Sequence, residues 1–88
     1  MKLKYKFVTN EVADNIVAVV VGDDLAKFNG FIKMNDTGAF IFKQLENDVT
    51  EEEIVAACLK QYPEATEEEA KETVANFVAE LVKADVIE

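Results

Sequence analysis

Cys58 and two runs of glutamate are the side chains of this sequence that could perform chemistry. A cysteine attacks substrates as a thiolate, and glutamates can carry protons or bind metal ions. The chain contains no His, Ser, Arg or Trp. This absence removes imidazole bases, serine nucleophiles, histidine-containing metal sites and arginine clamps for phosphate. Because no histidine is present to activate Cys58, we interpret it as a small buried hydrophobic residue.

The glutamate runs have a structural explanation. Thr50 precedes Glu51, Glu52 and Glu53, and Thr66 precedes a second run at residues 67–69. A threonine followed three residues later by glutamate is typical of a capping box, in which each residue accepts a hydrogen bond from the other's backbone N–H. Carboxylates in a first turn also complement the helix dipole. The runs therefore predict two helix starts, and not metal or substrate ligands.

Composition and charge narrow the class of protein. The 88 residues are 50% hydrophobic, which predicts one domain over residues 1–88 that buries ~60–65% of its unfolded surface. A formal net charge of −9 argues against nucleic acid, whose phosphates would be repelled. The sequence has neither an apolar run that could span a membrane nor a secretory signal. A single cysteine suits a reducing compartment, so we expect a cytoplasmic protein.

Two strands are predicted in the first quarter of the chain. Residues 2–8 alternate lysines with Leu3, Tyr5 and Phe7, which predicts a half-buried strand. Residues 10–15 are polar enough to turn, and the continuous apolar run 16–21 predicts a second strand covered on both faces or paired at an interface. A terminal strand faced with lysines has few local constraints, so residues 1–5 are expected to be loose or exchanged between chains.

A third strand is predicted at residues 31–34. Asn29-Gly30 could form the tight turn that leads into it. With a side-chain period of two, Ile32 and Met34 share one face and Phe31 and Lys33 share the other. We assign the face of Ile32 and Met34 to the core.

The segment from Asn35 to Phe42 separates the strand half of the chain from the helix half. Asn35 or Asp36 can cap a helix, and Gly38 in its first turn would let a neighbouring element approach closely. This first helix is predicted from about residue 37 to 46, and its buried residues are Ile41, Phe42 and Leu45.

Two further helices follow the two capping boxes. The second buries Ile54, Val55, Cys58 and Leu59, and it ends near Tyr62-Pro63 because proline disfavours a helical residue before it. The third extends to about Ala84, and one apolar stripe is Ala70, Val74, Phe77, Leu81 and Ala84.

A second apolar stripe on the third helix consists of Ala75, Val78, Ala79 and Val82. Together the two stripes cover an arc of roughly 220° at 100° per residue, more than a small domain needs to seal its core. Either the sheet covers the second stripe, or the stripe is the wall of a groove for a partner. Glu72, Asn76, Glu80 and Lys83 form the remaining, solvated face.

Residues 34–42 follow a pattern of an apolar residue, Asn, a variable residue, Thr, a small residue and Ala, and later an Ile before an aromatic. In this pattern the segment resembles the PqqD-like family. These are small peptide-binding proteins named for the pyrroloquinoline quinone pathway, also called RiPP recognition elements. The resemblance covers residues 15–88, and further matching positions are Leu45, residues 50–54, Leu59, Tyr62, Phe77, Leu81, Ala84, Val86 and Ile87.

The resemblance implies an α+β, winged-helix-like fold in which three N-terminal antiparallel strands precede three helices. It also implies a non-enzymatic module, without cofactor or metal, that binds the leader of a ribosomally made precursor peptide. The leader would add as a strand beside Phe31, Ile32, Lys33 and Met34 and lie against the last helix at Ala75, Val78, Ala79 and Val82. A radical S-adenosylmethionine protein or another peptide-modifying enzyme would act on the presented peptide.

The sequence departs from the family pattern at two positions. Asn47-Asp48 stands where the family usually has a glycine after the first helix, and asparagine is expected to substitute there in the left-handed conformation. Asp85 stands where the family commonly has another glycine near the end of the chain.

Three other functions are alternatives to peptide binding. A winged-helix regulator of transcription is disfavoured by the acidic charge and the missing arginines. A carrier protein that bears phosphopantetheine needs a serine, and the chain has none. The third alternative is an interaction domain that homodimerises through the second stripe or through an exposed first strand.

Overall fold

The computed structural model of the protein describes residues 1–22 and 30–88. Three antiparallel strands, in the sheet order β1-β2-β3, precede three helices. The strands are β1 (Phe7–Val12), β2 (Asn15–Val20) and β3 (Phe31–Met34), and the helices are α1 (Asp36–Gln44), α2 (Glu51–Gln61) and α3 (Glu67–Lys83). The predicted α+β class and order of elements are confirmed. The turn predicted at Asn29-Gly30 depends on a residue outside the described ranges.

The first strand begins later than the alternating lysines indicate. β1 starts at Phe7, and the polar residues expected to turn are mostly paired with β2. The turn is only two residues long, because Val12 pairs with Asn15. Residues 2–6 lie before this strand, and within them Leu3 forms an isolated antiparallel bridge with Ile87. The prediction of a strand at 2–8 was therefore wrong in its bounds.

Ala13, in the two-residue turn between β1 and β2, has a φ of 57°. A Cβ makes this left-handed region unfavourable by ~1–2 kcal/mol, whereas glycine enters it freely. Glycine also makes the unfolded chain more flexible, which offsets ~0.4–1 kcal/mol of the gain. We expect Ala13→Gly to stabilise the fold by about 0.5–1 kcal/mol in a urea titration. Ala18→Gly, in the buried centre of β2, is the opposite control and should destabilise it; a destabilised Ala13→Gly protein would contradict the turn geometry.

Residues 1–5 were expected to be loose, but they pack against the rest of the protein. Leu3 is 8% exposed within the core cluster. The Leu3 N–H donates to the Leu45 carbonyl at 2.9 Å, and the Lys4 N–H donates to the Val86 carbonyl at 2.8 Å. The Met1 ammonium lies 2.8 Å from the Asp48 carboxylate, and this hydrogen bond lowers the pKa of Asp48. The segment is held because it fills the gap between the end of α1 and the C-terminus.

All three helices start at the predicted caps. The Asn35 side chain accepts a hydrogen bond from the Gly38 N–H at 2.8 Å. Both capping boxes form, Thr50 with Glu53 and Thr66 with Glu69. The hydrogen bonds from Thr66 also lower the pKa of Glu69. The glutamate runs are thus explained by helix capping.

The two departures from the family pattern are accommodated differently. Neither Asn47 nor Asp48 has a positive φ, so the prediction of a left-handed asparagine after α1 was wrong. The end of α1 instead tightens into i→i+3 hydrogen bonds. In one of them the Asn47 N–H donates to the Gln44 carbonyl at 3.3 Å. Asp85 does have a φ of 59°. The Val86 N–H donates to the Leu81 carbonyl at 3.2 Å, which completes a Schellman motif after α3. Aspartate here adopts the conformation that glycine would supply.

The core lies between one face of the sheet and the three helices. Its buried apolar residues include Ala18, Met34, Ile41, Phe42, Leu45, Ile54, Val55, Val74, Leu81 and Val86. Cys58 is buried on α2, and the loss of solvent raises the pKa of its thiol. The prediction of a buried, unreactive cysteine is confirmed in its burial. Within the described part of the chain, no helix combines the length and hydropathy needed to cross a bilayer.

Candidate peptide-binding site

The edge of the sheet at β3 is the first part of the candidate site. β3 pairs with β2 on one side, and no other described strand lies on its far side. Met34 is 5% exposed and Ile32 is half-buried, whereas Phe31 is 63% exposed and Lys33 is also exposed. The predicted assignment of faces is therefore confirmed. An edge strand presents backbone donors and acceptors that another extended chain can pair with.

Gly38 is where β3, α1 and α3 meet. A Cβ built at this position would lie 3.1 Å from the Met34 Cβ and 3.1 Å from the Phe77 ring. Such contacts are tighter than ordinary van der Waals separations, so glycine lets the end of β3 and the middle of α3 approach the first turn of α1. The predicted reason for a small residue here is confirmed. Phe77 thereby fixes which side of α3 faces the first turn of α1.

A cleft of about 410 Å³ opens beside this junction. Its α1 wall consists of Asn35, Thr37, Gly38 and Ile41, and its α3 wall consists of Thr73, Asn76, Phe77 and Glu80. The α3 residues follow the i, i+3, i+4, i+7 spacing of a single helix face. The cleft thus places a mostly polar rim around an aromatic ring, next to the end of the edge strand.

The predicted α3 residues do not line this cleft. Val78 is 8% exposed and belongs to the core cluster, so the expectation that it is exposed in the unbound protein was wrong. Ala75 lines a different cleft, between α2 and α3. Ala79 and Val82 are exposed, and with Ala75 they lie about 140–160° around the helix from Phe77 at 100° per residue. The physical reason is that α3 packs on α1 through Phe77, which directs the second stripe away from β3.

Sequence reasoning missed Thr73, Asn76 and Glu80, because polar residues on a helix usually face solvent. A signal was nevertheless present in Gly38, whose missing side chain predicts the close approach of another element. Once Phe77 is paired with Gly38, its helical neighbours at i−4, i−1 and i+3 must flank the contact. These neighbours are the three missed residues.

The candidate site consists of polar groups around the Phe77 ring. Its side chains offer hydroxyl, amide and carboxylate groups from α3 and an ammonium from Lys33 on β3. Among residues 1–22 and 30–88, no cluster of three or more His, Cys, Asp or Glu side chains could hold a metal ion. Cys58 lines an adjoining cleft with Tyr62 and Ala70, which shares Thr37 and Thr73 with the cleft at Phe77. The arrangement suits an extended peptide that pairs with β3 and inserts a side chain beside Phe77.

A solved structure shares this fold. The TbiB1 protein, determined in complex with the TbiA(beta) leader peptide, superposes with a TM-score of 0.73 and 20% sequence identity. The match covers 100% of this chain and 95% of that one. At this identity the likeness shows the architecture of three antiparallel strands followed by three helices. A comparison with curated protein sequences found no match.

A family model matches most of the chain. The model described as Coenzyme PQQ synthesis protein D (PqqD) matches residues 19–87. This range begins within β2 and includes β3, all three helices and Ile87, which forms the bridge with Leu3. It therefore contains both the edge strand and the cleft beside it, and the chain belongs to the PqqD family.

Proposed function

We propose that this protein binds the leader segment of a ribosomally made precursor peptide and presents the rest of that peptide to a modifying enzyme. The observation that carries the proposal is the adjacency of an edge strand and a cleft, joined at Gly38. Support comes from membership of the PqqD family and from the structural neighbour, which was solved with a leader peptide bound.

The leader adds as a strand along Phe31, Ile32, Lys33 and Met34. Backbone hydrogen bonds to β3 supply affinity that depends little on the leader's sequence. Selectivity arises where alternate side chains of an added strand enter pockets. The cleft lined by Thr73, Asn76, Phe77 and Glu80 is such a pocket. The proposal thus moves the helical wall of the site from Ala75, Val78, Ala79 and Val82 to the opposite side of α3.

The protein contributes no bond-making step of its own. It raises the local concentration of the peptide beside the enzyme's active site, which converts a second encounter into an intramolecular one. The enzyme served is of the radical S-adenosylmethionine class, and the module requires neither cofactor nor metal. Both partners act in the cytoplasm.

Filling the cleft tests the site. Asn76 is exposed and lines the cleft, so Asn76→Trp should leave the fold intact, with a change in stability within ~0.5 kcal/mol. The indole would occupy the space that a leader side chain needs. We expect the dissociation constant of a synthetic leader, taken from a short open reading frame beside this gene, to rise at least ~10-fold, which is ~1.4 kcal/mol. Isothermal titration calorimetry measures the change.

Glu72→Trp is the matched control. Glu72 is exposed on the same helix and lines none of the described clefts, so the same bulk there should leave leader affinity unchanged. If neither tryptophan variant weakened leader binding, the leader would bind elsewhere on the protein. Equal loss in both would indicate an effect of the substitution on α3 as a whole.

A further inference from the structure

The cleft between α2 and α3 has a volume of about 560 Å³ and lies on the side of α3 that faces away from the β3 edge. Its apolar floor is formed by Val55, Ala56, Leu59 and Ala75. Ala79 and Val82 follow Ala75 at i+4 and i+7, so they extend the floor along α3. Val82 is 60% exposed. This surface therefore accounts for Ala75, Ala79 and Val82, the members of the second apolar stripe that the core and the leader site leave uncovered.

The rim of the same cleft is acidic. Glu51 and Glu52 line it from the first turn of α2, and Glu67 lines it from the first turn of α3. Lys71 also lines the cleft, but its ammonium is paired with the Glu67 carboxylate at 3.1 Å. Three carboxylates against one ammonium leave the lining with a net charge of −2. A complementary occupant therefore carries apolar side chains together with lysine or arginine.

The secondary structure of the occupant follows from the backbone of the two walls. Beyond their first turns, α2 and α3 satisfy their amide groups within each helix, so neither wall offers the continuous row of backbone donors and acceptors that an added strand requires. A helix satisfies its own backbone, and its side chains fit the groove between two packed helices. The walls therefore select a helix over an extended peptide.

We propose that the groove between α2 and α3 is a second docking site, which binds an amphipathic, basic helix of a protein partner. This site is separate from the leader site, since the two occupy opposite sides of α3. The module can consequently hold a leader at β3 and a partner protein at the groove at the same time. Occupation of one site leaves the other open.

The probe for this proposal is a synthetic helix with leucines at i, i+4 and i+7 and arginines on both flanks. Titration into the labelled protein should perturb the amide NMR signals of Val55, Leu59 and Ala75. Ala75 is exposed, so Ala75→Arg should leave the fold intact. The new side chain adds bulk to the floor of the groove and a positive charge that repels the arginines of the probe. We therefore expect it to weaken binding at least tenfold. Perturbations confined to β3 and the Phe77 cleft would overturn the proposal.

A matched pair of charge variants distinguishes binding at the groove from attraction to the acidic surface as a whole. The double variant Glu51→Gln, Glu52→Gln removes two charges from the rim and should weaken the probe about three- to tenfold. The double variant Glu68→Gln, Glu72→Gln removes the same charge from outside the groove and should change binding less than twofold. Equal weakening would show non-specific attraction and overturn the proposal. Concentration-dependent self-association that Ala75→Arg abolishes would overturn it too, by assigning the groove to a second copy.

Discussion

Val78→Glu is expected to remove a large part of the protein's stability at neutral pH. Val78 is 8% exposed and packs within the core cluster, so an ionised carboxylate there would be buried without a partner. An uncompensated buried charge destabilises by ~3–5 kcal/mol, whereas the whole fold of a chain this size is worth ~4–13 kcal/mol at ~0.05–0.15 kcal/mol per residue. Circular dichroism during a thermal melt, followed at pH 7, measures the loss.

The pH dependence of this variant has a defined sign. Burial raises the pKa of the introduced carboxyl above its unfolded value of ~4.3. The folded variant therefore holds a proton that the unfolded chain releases, and stability falls as pH rises from ~4.3 through the raised pKa. The deficit relative to the parent protein should be smaller at pH 5 than at pH 8.

Val82→Glu is the control for the orientation of α3. Val82 lies one turn after Val78 and is 60% exposed, so glutamate there remains hydrated. The carboxylate near the end of the helix opposes the helix dipole and should cost less than ~1 kcal/mol. If Val78→Glu melted like Val82→Glu, the second stripe would be exposed throughout, and Val78 would not face the core.

Leu3→Ala is expected to destabilise the fold by about 3 kcal/mol, because leucines of comparable burial cost ~2–5 kcal/mol when truncated to alanine. Leu3 is 8% exposed, and its backbone bridges Ile87 and donates to Leu45. For a domain of this size the change lowers the thermal midpoint by ~12–24 °C, at ~4–8 °C per kcal/mol. Differential scanning calorimetry reports the shift directly.

Deleting residues 1–5 extends the same experiment. The deletion also removes the bond between the Met1 ammonium and Asp48 and the backbone bond from the Glu88 N–H to the Lys2 carbonyl at 2.8 Å. It should destabilise the protein at least as much as Leu3→Ala. Lys2→Ala, at an exposed position, is the control and should stay within ~0.5 kcal/mol of the parent. A deletion that melts like the parent protein would show that the segment is dispensable.

Features set by short-range interactions could be read from the sequence. The caps at Asn35, Thr50 and Thr66 formed as predicted, because capping depends on residues within one helical turn. β3 and its buried face followed from the period of two, and the place of the edge strand in the candidate site could be anticipated in the same way. Cys58 was assigned to the core from helical spacing.

Features set by long-range packing could not be read in this way. The lysine-faced segment around Leu3 reads locally as a strand, yet its partners lie more than forty residues away at Leu45 and Ile87. A pattern of alternation specifies two faces, but it does not specify which element covers them. Only the folded chain decided that this segment closes the core at the end of α1.

The orientation of α3 about its own axis shows most clearly which features follow from the sequence and which depend on tertiary packing. Its sequence determined a helix with an apolar arc wider than a core requires, and it left open which part of the arc faces the sheet. The close approach of Phe77 and Met34 at Gly38 decided that question. Because side chains on one helix are fixed relative to each other, this single contact buried Val78, placed Thr73, Asn76 and Glu80 beside α1, and turned Ala75 and Val82 away from it.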